Sequence, residues 1–180
     1  MMDDKNNIKP NSCRKVFESP WFSIDEVLYN ETFYEKPYFR LSCGDAVGIL
    51  AVTPEQKIIL VKQFRPAIGD YSLELPAGYI DDKETAEEAV KRELKEETGF
   101  VCDSVIHLGS LKGCPSRINN TLHQFFGNNA RRVSAGSDQK EECEVVLVNK
   151  DEFKKLVIEE KLVASGAIAT YFLAQLKGFL

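Results

Sequence analysis

No stretch of this chain approaches the roughly 18 consecutive apolar residues that a membrane-spanning helix needs, so no membrane span is expected. The opening MMDDKNNIKPN has no apolar segment behind its charges, which argues against an export signal and makes a soluble, cytoplasmic protein the expectation. Cysteine is sparse and unpaired in pattern. Cys13, Cys43, Cys102, Cys114 and Cys143 are odd in number, widely spaced and never CxxC, so free thiols are expected and a disulfide framework is not. The only histidines are His107 and His123, and no cysteine stands at ligand spacing from either, which argues against a zinc site and leaves each as an expected strand residue. There is no basic excess either. With 23 Lys and Arg against 28 Asp and Glu, a net charge of -5 and a pI near 5.2, the chain lacks the electrostatic footprint of a nucleic-acid binder. Internal repeats, low-complexity tracts and long linkers are absent as well. What remains is a chain of 180 residues, 43% hydrophobic, sized for one well-buried core.

The chemistry concentrates between Gly78 and Phe100, in GYIDDKETAEEAVKRELKEETGF. At about 100° per residue this segment is an amphipathic helix on which Glu93 and Glu97 point the same way as Ala86 and Val90, while Glu88, Lys91 and Lys95 point away. Glu93, Glu96 and Glu97 therefore crowd the last turns, on or beside the buried stripe. Two carboxylates about 4 Å apart repel by about 4 kcal/mol at an effective dielectric near 20, and the negative end of the helix dipole adds to this. Something cationic belongs among them. A hard divalent cation answers that need, because Mg²⁺ prefers oxygen ligands and bridges carboxylates to substrate phosphates, and Mn²⁺ fits nearly as well. The alternative is a surface helix laced with i,i+4 pairs such as Arg92 with Glu96 and Lys91 with Glu87. Gly78 is expected to form a turn ahead of the helix, Asp81 or Asp82 to cap it, and Gly99 to end it.

Around this segment the chain reads as mixed α+β. Val16-Phe17, Trp21 to Tyr29 and Phe33-Tyr34 read as short strands, with turns at Ser19-Pro20 and Asn30-Glu31. DAVGILAVT and KIILVKQFR read as a hairpin joined by TPEQK. Further strands are expected at Ser72 to Leu75, Ser104 to Leu111, Thr121 to Phe126 and Cys143 to Val148. A helix is expected over Asp151 to Glu160, then a last one capped by Ser165 whose Ile168, Tyr171, Phe172 and Leu176 form a packing face.

Gly78, Glu84, Arg92-Glu93-Leu94, Glu96-Glu97 and Gly99-Phe100 match the Nudix box at every defined position, and the chain resembles the Nudix hydrolases, in particular the ADP-ribose (nucleoside diphosphate sugar) pyrophosphatase branch. The resemblance implies a Nudix α/β/α sandwich over residues 45–180, preceded by an N-terminal antiparallel β arm over residues 1–44 that joins two subunits into a homodimer. It implies Mg²⁺-dependent hydrolysis of ADP-ribose to AMP and ribose 5-phosphate. Glu93 and Glu97 become the principal metal ligands, with Glu96 contributing directly or through water and the carbonyl of Ala77 completing the set, while Arg92 orients the carboxylates.

A base for the attacking water belongs outside the ligand helix, because a bound cation already lowers a ligand's proton affinity. Glu141 and Glu142, in a loop just before a strand, match the place where the branch carries it. By the resemblance, Arg65 and Glu74 take positions that in this branch face the diphosphate and the sugar or metal region, with a surface role the alternative for Arg65, and Trp21 is expected either to stack on adenine or to serve as a core or dimer contact. Pro115 stands fifteen positions after Phe100, as in the ADP-ribose subgroup, but CPSRINN departs from the subgroup's SPG loop, so Arg117 is a contact for a phosphate or another sugar or an exposed loop residue. Another nucleoside diphosphate sugar such as GDP-mannose, a dinucleotide polyphosphate, or an ADP-ribose sensor without turnover are the competing readings.

Overall fold

The computed structural model describes residues 8–30, 34–133 and 143–180, in two compact units. The first contains the described residues up to Gly44 together with Lys112–Asn120, and the second contains Asp45–Leu111 and the described part of Thr121–Leu180.

In the first unit, β1 (Ser12–Glu18), β2 (Ser23–Leu28) and β3 (Tyr38–Ser42) form an antiparallel sheet in that order. Ser19 makes the first turn, its Oγ accepting from the amides of Trp21 and Phe22 at 3.3 and 3.0 Å. Trp21 and Phe22 thus belong to the turn, and β2 begins two residues after Trp21 rather than at it. The Phe33-Tyr34 expectation falls partly on residues 31–33, outside the described residues, as does Glu31 of the second turn. Tyr34 lies outside any strand. Buried Asp25 is held by Ser42 Oγ at 2.7 Å and by two Arg40 nitrogens at 3.3 Å. The loop 112–120 docks on β3, where the Leu41 amide donates to the Arg117 carbonyl at 2.8 Å and Asn119 Nδ2 donates to Ser42 Oγ at 2.9 Å.

The second unit holds two main sheets. β4 (Ala46–Ala51) lies inside a four-stranded sheet of order β7-β4-β10-β9, while β5 (Ile58–Arg65) lies inside a three-stranded sheet of order β12-β5-β6. The other members are β6 (Asp70–Glu74), β7 (Ala77–Tyr79), β9 (Val105–Leu111), β10 (Leu122–Gly127) and β12 (Glu144–Val148), with a small pair β8 (Phe100–Val101) and β11 (Arg131–Arg132). The expected hairpin of β4 and β5 is thereby corrected. The turn between them closes with a bridge between Val52 and Ile58 and the Thr53 amide on the Lys57 carbonyl at 2.9 Å, but β4 itself pairs in parallel with β10 and β5 pairs with β6 and β12. Both strands are apolar on both faces, and a hairpin exposing one face would leave half of those side chains in water.

Among the described residues three helices cover the sheets. α1 (Ala86–Thr98) packs Ala89, Val90 and Leu94 against Val47, Ile49 and Phe125. α2 (Lys150–Ile158) and α3 (Ser165–Leu176) close a second cluster with Leu50, Leu60 and Phe126, in which Phe153 stacks on Tyr171 at 4.4 Å. Each fully buried Leu, Ile or Phe in these clusters contributes about 1.5–3 kcal/mol relative to exposure. Among the described residues no helix is long and apolar enough to cross a membrane.

Several helix ends differ from expectation. Thr85, not Asp81 or Asp82, caps α1, because Glu88 three residues on completes a capping box with it. Gly99 ends α1 in the left-handed conformation at φ 73°, as its position predicts. Ser165 is the first residue of α3 rather than its cap, and Phe172 and Leu176 face solvent rather than the core. Gly78 is not a turn residue. It pairs with Val47 inside β7.

Candidate active site

β7 runs directly under the acidic end of α1, and this juxtaposition builds the site. The Ala77 amide donates to Glu97 Oε2 at 3.1 Å. At the next residue a side chain on Gly78 would collide with the Glu93 carboxylate, so the glycine is what admits that group to the strand. Glu93 is 14% exposed, Glu97 is half-buried and Glu96 is 59% exposed, an order that follows from the helical faces they occupy.

Arg92 lies among the carboxylates. Its Nε and Nη2 each reach Glu84 at 2.9 Å, Nη1 reaches Glu93 Oε1 at 2.7 Å and Glu96 Oε2 at 3.2 Å, and Nη2 donates to the Tyr79 carbonyl at 3.0 Å. Asp81 stands 3.8 Å away. The guanidinium holds Glu84 below the usual carboxylate range, and the hydrogen bonds it donates to Glu84, then to Glu93, push its own proton affinity upward. The i,i+4 pairs Arg92–Glu96 and Lys91–Glu87 both form, but Arg92 makes four carboxylate contacts and is far more than a surface partner. Glu84 and the Tyr79 carbonyl are structural parts of this arrangement that the side-chain chemistry alone did not single out. The signal for Glu84 was its fixed spacing to Arg92.

Among the described residues no three His, Cys, Asp or Glu side chains converge on one point. Glu93 is turned to Arg92 and Glu97 to the Ala77 amide. The donor set at the junction is nevertheless all oxygen, partly shielded, and accommodated by a glycine, so the residues fit a hard divalent cation.

Arg65 and Glu74 form a bidentate pair at 2.8 and 2.7 Å in the same unit, bridging β5 and β6. That hydrogen bonding lowers the Glu74 carboxyl below its ordinary value, against the effect of burial. Trp21 and Arg117 belong to the first unit. Trp21 is 71% exposed. Arg117 stands over the Tyr38 ring at 5.0 Å and donates to the Ser116 carbonyl at 2.8 Å and to the Tyr38 hydroxyl. Glu141 and Glu142 lie outside the described residues. The geometry thus brings together Ala77, Arg92, Glu93, Glu96 and Glu97, and separately Arg65 with Glu74.

A family model described as NUDIX domain matches residues 44–165. The chain is 34% identical over 135 residues to an ADP-ribose pyrophosphatase of Bacillus subtilis (strain 168), covering 73% of this chain and 72% of that protein. It is 28% identical over 134 residues to a methanol dehydrogenase activator of Bacillus methanolicus, covering 73% of this chain and 72% of the relative. A solved crystal structure of an ADP compounds hydrolase matches with a TM-score of 0.80 at 21% identity, over 97% of this chain and 98% of the other, a likeness of fold.

Proposed function

The chain belongs to the Nudix hydrolase family and is a pyrophosphohydrolase, and from that premise we propose that it hydrolyses ADP-ribose to AMP and ribose 5-phosphate with Mg²⁺, or Mn²⁺ in its place. The observation that carries this reading is the junction of β7 with α1, where Glu93 and Glu97 meet the backbone of Gly78 and Ala77 beside Arg92.

Glu93, Glu97, Glu96 and the carbonyl of Ala77 would hold the metal, which when bound neutralises charge developing on the diphosphate oxygens. Arg92 fixes the carboxylates of Glu93 and Glu96 so that their oxygens are presented together. A loop glutamate, Glu141 or Glu142, takes a proton from water as its oxygen bonds to one phosphorus. The bridging P–O bond breaks, and the leaving phosphate carries its electron pair away. Arg65 and Glu74 line the diphosphate and sugar region, Trp21 stacks on the adenine, and Arg117 contacts the far phosphate or sugar. The similarity to an ADP-ribose pyrophosphatase along most of the chain supports this choice of substrate.

We assign the protein to the cytoplasm, in keeping with five cysteines that are odd in number, widely spaced and never CxxC. Its partner is a second copy of itself, joined through the N-terminal β arm, where Val16, Phe17, Leu28 and Phe39 leave apolar surface exposed. A second substrate reading, another nucleoside diphosphate sugar, is favoured by the CPSRINN loop, whose Arg117 is set on Tyr38.

Hydrolysis of ADP-ribose, GDP-mannose, UDP-glucose and diadenosine compounds, with products separated by chromatography and ranked by kcat/KM, tests the reading. ADP-ribose should rank first, with AMP and ribose 5-phosphate released only when Mg²⁺ or Mn²⁺ is added. Tight binding of intact ADP-ribose over hours with Mg²⁺ present would make the protein a sensor instead. Glu141→Gln and Glu142→Gln, assayed side by side, identify the base by which of them loses turnover.

A further inference from the structure

The two histidines, sixteen residues apart, meet on the surface of β9 and β10. His107 Nε2 and His123 Nδ1 both point at Ser110 Oγ, at 3.2 and 3.0 Å. The register explains the meeting. His123 pairs with Ser110 and Phe125 with His107 across the antiparallel ladder, and a bulge between Gln124 and Phe125 brings the diagonal rings to 5.9 Å between centroids. Phe125 supports the His107 ring at 5.2 Å. Behind His123, on the nitrogen facing away from Ser110, Asp45 Oδ2 stands 3.9 Å from Nε2. Asp45 is itself fixed, because its other oxygen accepts from the Thr121 amide at 2.6 Å.

A solvated hydroxyl needs no such arrangement, since water satisfies it. Two imidazole nitrogens converge on one exposed hydroxyl, which can rotate away to admit a cation, and a carboxylate stands on the far side of one ring, the side from which metal-binding histidines are oriented. Imidazole favours late first-row ions, whereas the all-oxygen junction of α1 and β7 favours a hard one, so the two places differ in the cation they select. We propose that His107 and His123 form a site for a late first-row divalent ion, Ni²⁺, Cu²⁺ or Zn²⁺, distinct from the Nudix-box carboxylates. The chain supplies two nitrogens, since among the described residues no third His, Cys, Asp or Glu joins them, and water fills the remaining positions. Asp45 is a positioning residue for His123.

The test is calorimetric titration of the untagged full chain with Ni²⁺ in excess Mg²⁺, which keeps the acidic site saturated. His107→Asn and His123→Asn should each weaken Ni²⁺ binding by at least about tenfold, and Asp45→Asn by about 10-fold or more through loss of orientation. Ser110→Ala should retain binding, because the hydroxyl is not a ligand. The five cysteines remain in every variant, so differences report the histidines alone. Unchanged melting curves and unchanged Mg²⁺-dependent turnover in the histidine variants establish that they fold. Ni²⁺ binding by either single histidine variant equal to wild type, or wild type no tighter than the double variant, would overturn the assignment.

Discussion

The carboxylate of Glu93 occupies the space that a side chain at Gly78 would fill, so the strand β7 and the helix α1 are matched to each other at one pair of residues. The match places a charged group from the half-buried face of a helix directly against backbone, and it depends on a hydrogen atom standing where other residues carry a methyl group.

Gly78→Ala should leave the fold intact and disable the site. The added methyl meets the far end of a flexible side chain, so Glu93 moves and the strand does not. Displacement by about 1 Å at such a position costs about 100-fold in kcat/KM. Stability should change by less than about 1 kcal/mol. Steady-state kinetics with a thermal melt read both, and wild-type turnover would show that Glu93 need not lie against this strand.

Glu97→Gln removes a charge at nearly constant shape, and the amide oxygen still accepts from the Ala77 N–H. Turnover should fall by about 10²–10³-fold while the melting curve stays in place. Near-normal hydrolysis at saturating Mg²⁺ would remove Glu97 from the metal-binding set.

Trp21→Ala separates recognition from chemistry. An exposed indole that stacks on adenine contributes to binding in ground and transition state alike, so KM should rise about 10-fold with kcat within about twofold of wild type. Equal losses in both parameters, or none in either, would assign Trp21 another role.

Acid should destabilise the fold through its depressed carboxyls. Glu74 is held below its ordinary value chiefly by hydrogen bonds from Arg65, and Asp25 chiefly by the Ser42 hydroxyl. A group depressed on folding stabilises the protein above its unfolded pKa, near 4 for these side chains, and that stabilisation disappears as pH falls through the folded value. Urea midpoints should therefore fall below about pH 4. Glu74→Gln should be less stable than wild type by about 1 kcal/mol at pH 7, a modest figure because Arg65 is partly solvated. The gap should narrow by pH 3, and a gap independent of pH would show that the pair contributes nothing through ionisation.

Much of the acidic site was legible because it is local. Helical geometry at about 100° per residue decides which carboxylates share a face, and Gly99 announces its own left-handed stop. The start of α1 was misplaced although its signal was present. Thr85-x-x-Glu88 is a capping box, but Asp81 and Asp82 close by carry the same kind of capping oxygen. The hairpin expectation for β4 and β5 failed for a different reason. Two adjacent apolar strands with a turn between them look alike whether they pair with each other or part into separate sheets, and only burial of both faces chooses the second.

By itself the sequence determined the order of charges along α1, and with it the family and the oxygen-rich character of the site, because spacing on one helix needs no distant partner. The tertiary structure decided which backbone meets those charges. It set Ala77 and Gly78 beneath Glu97 and Glu93, and it brought His107 and His123 to a common hydroxyl, since cross-strand register is a long-range property fixed by packing across the sheets.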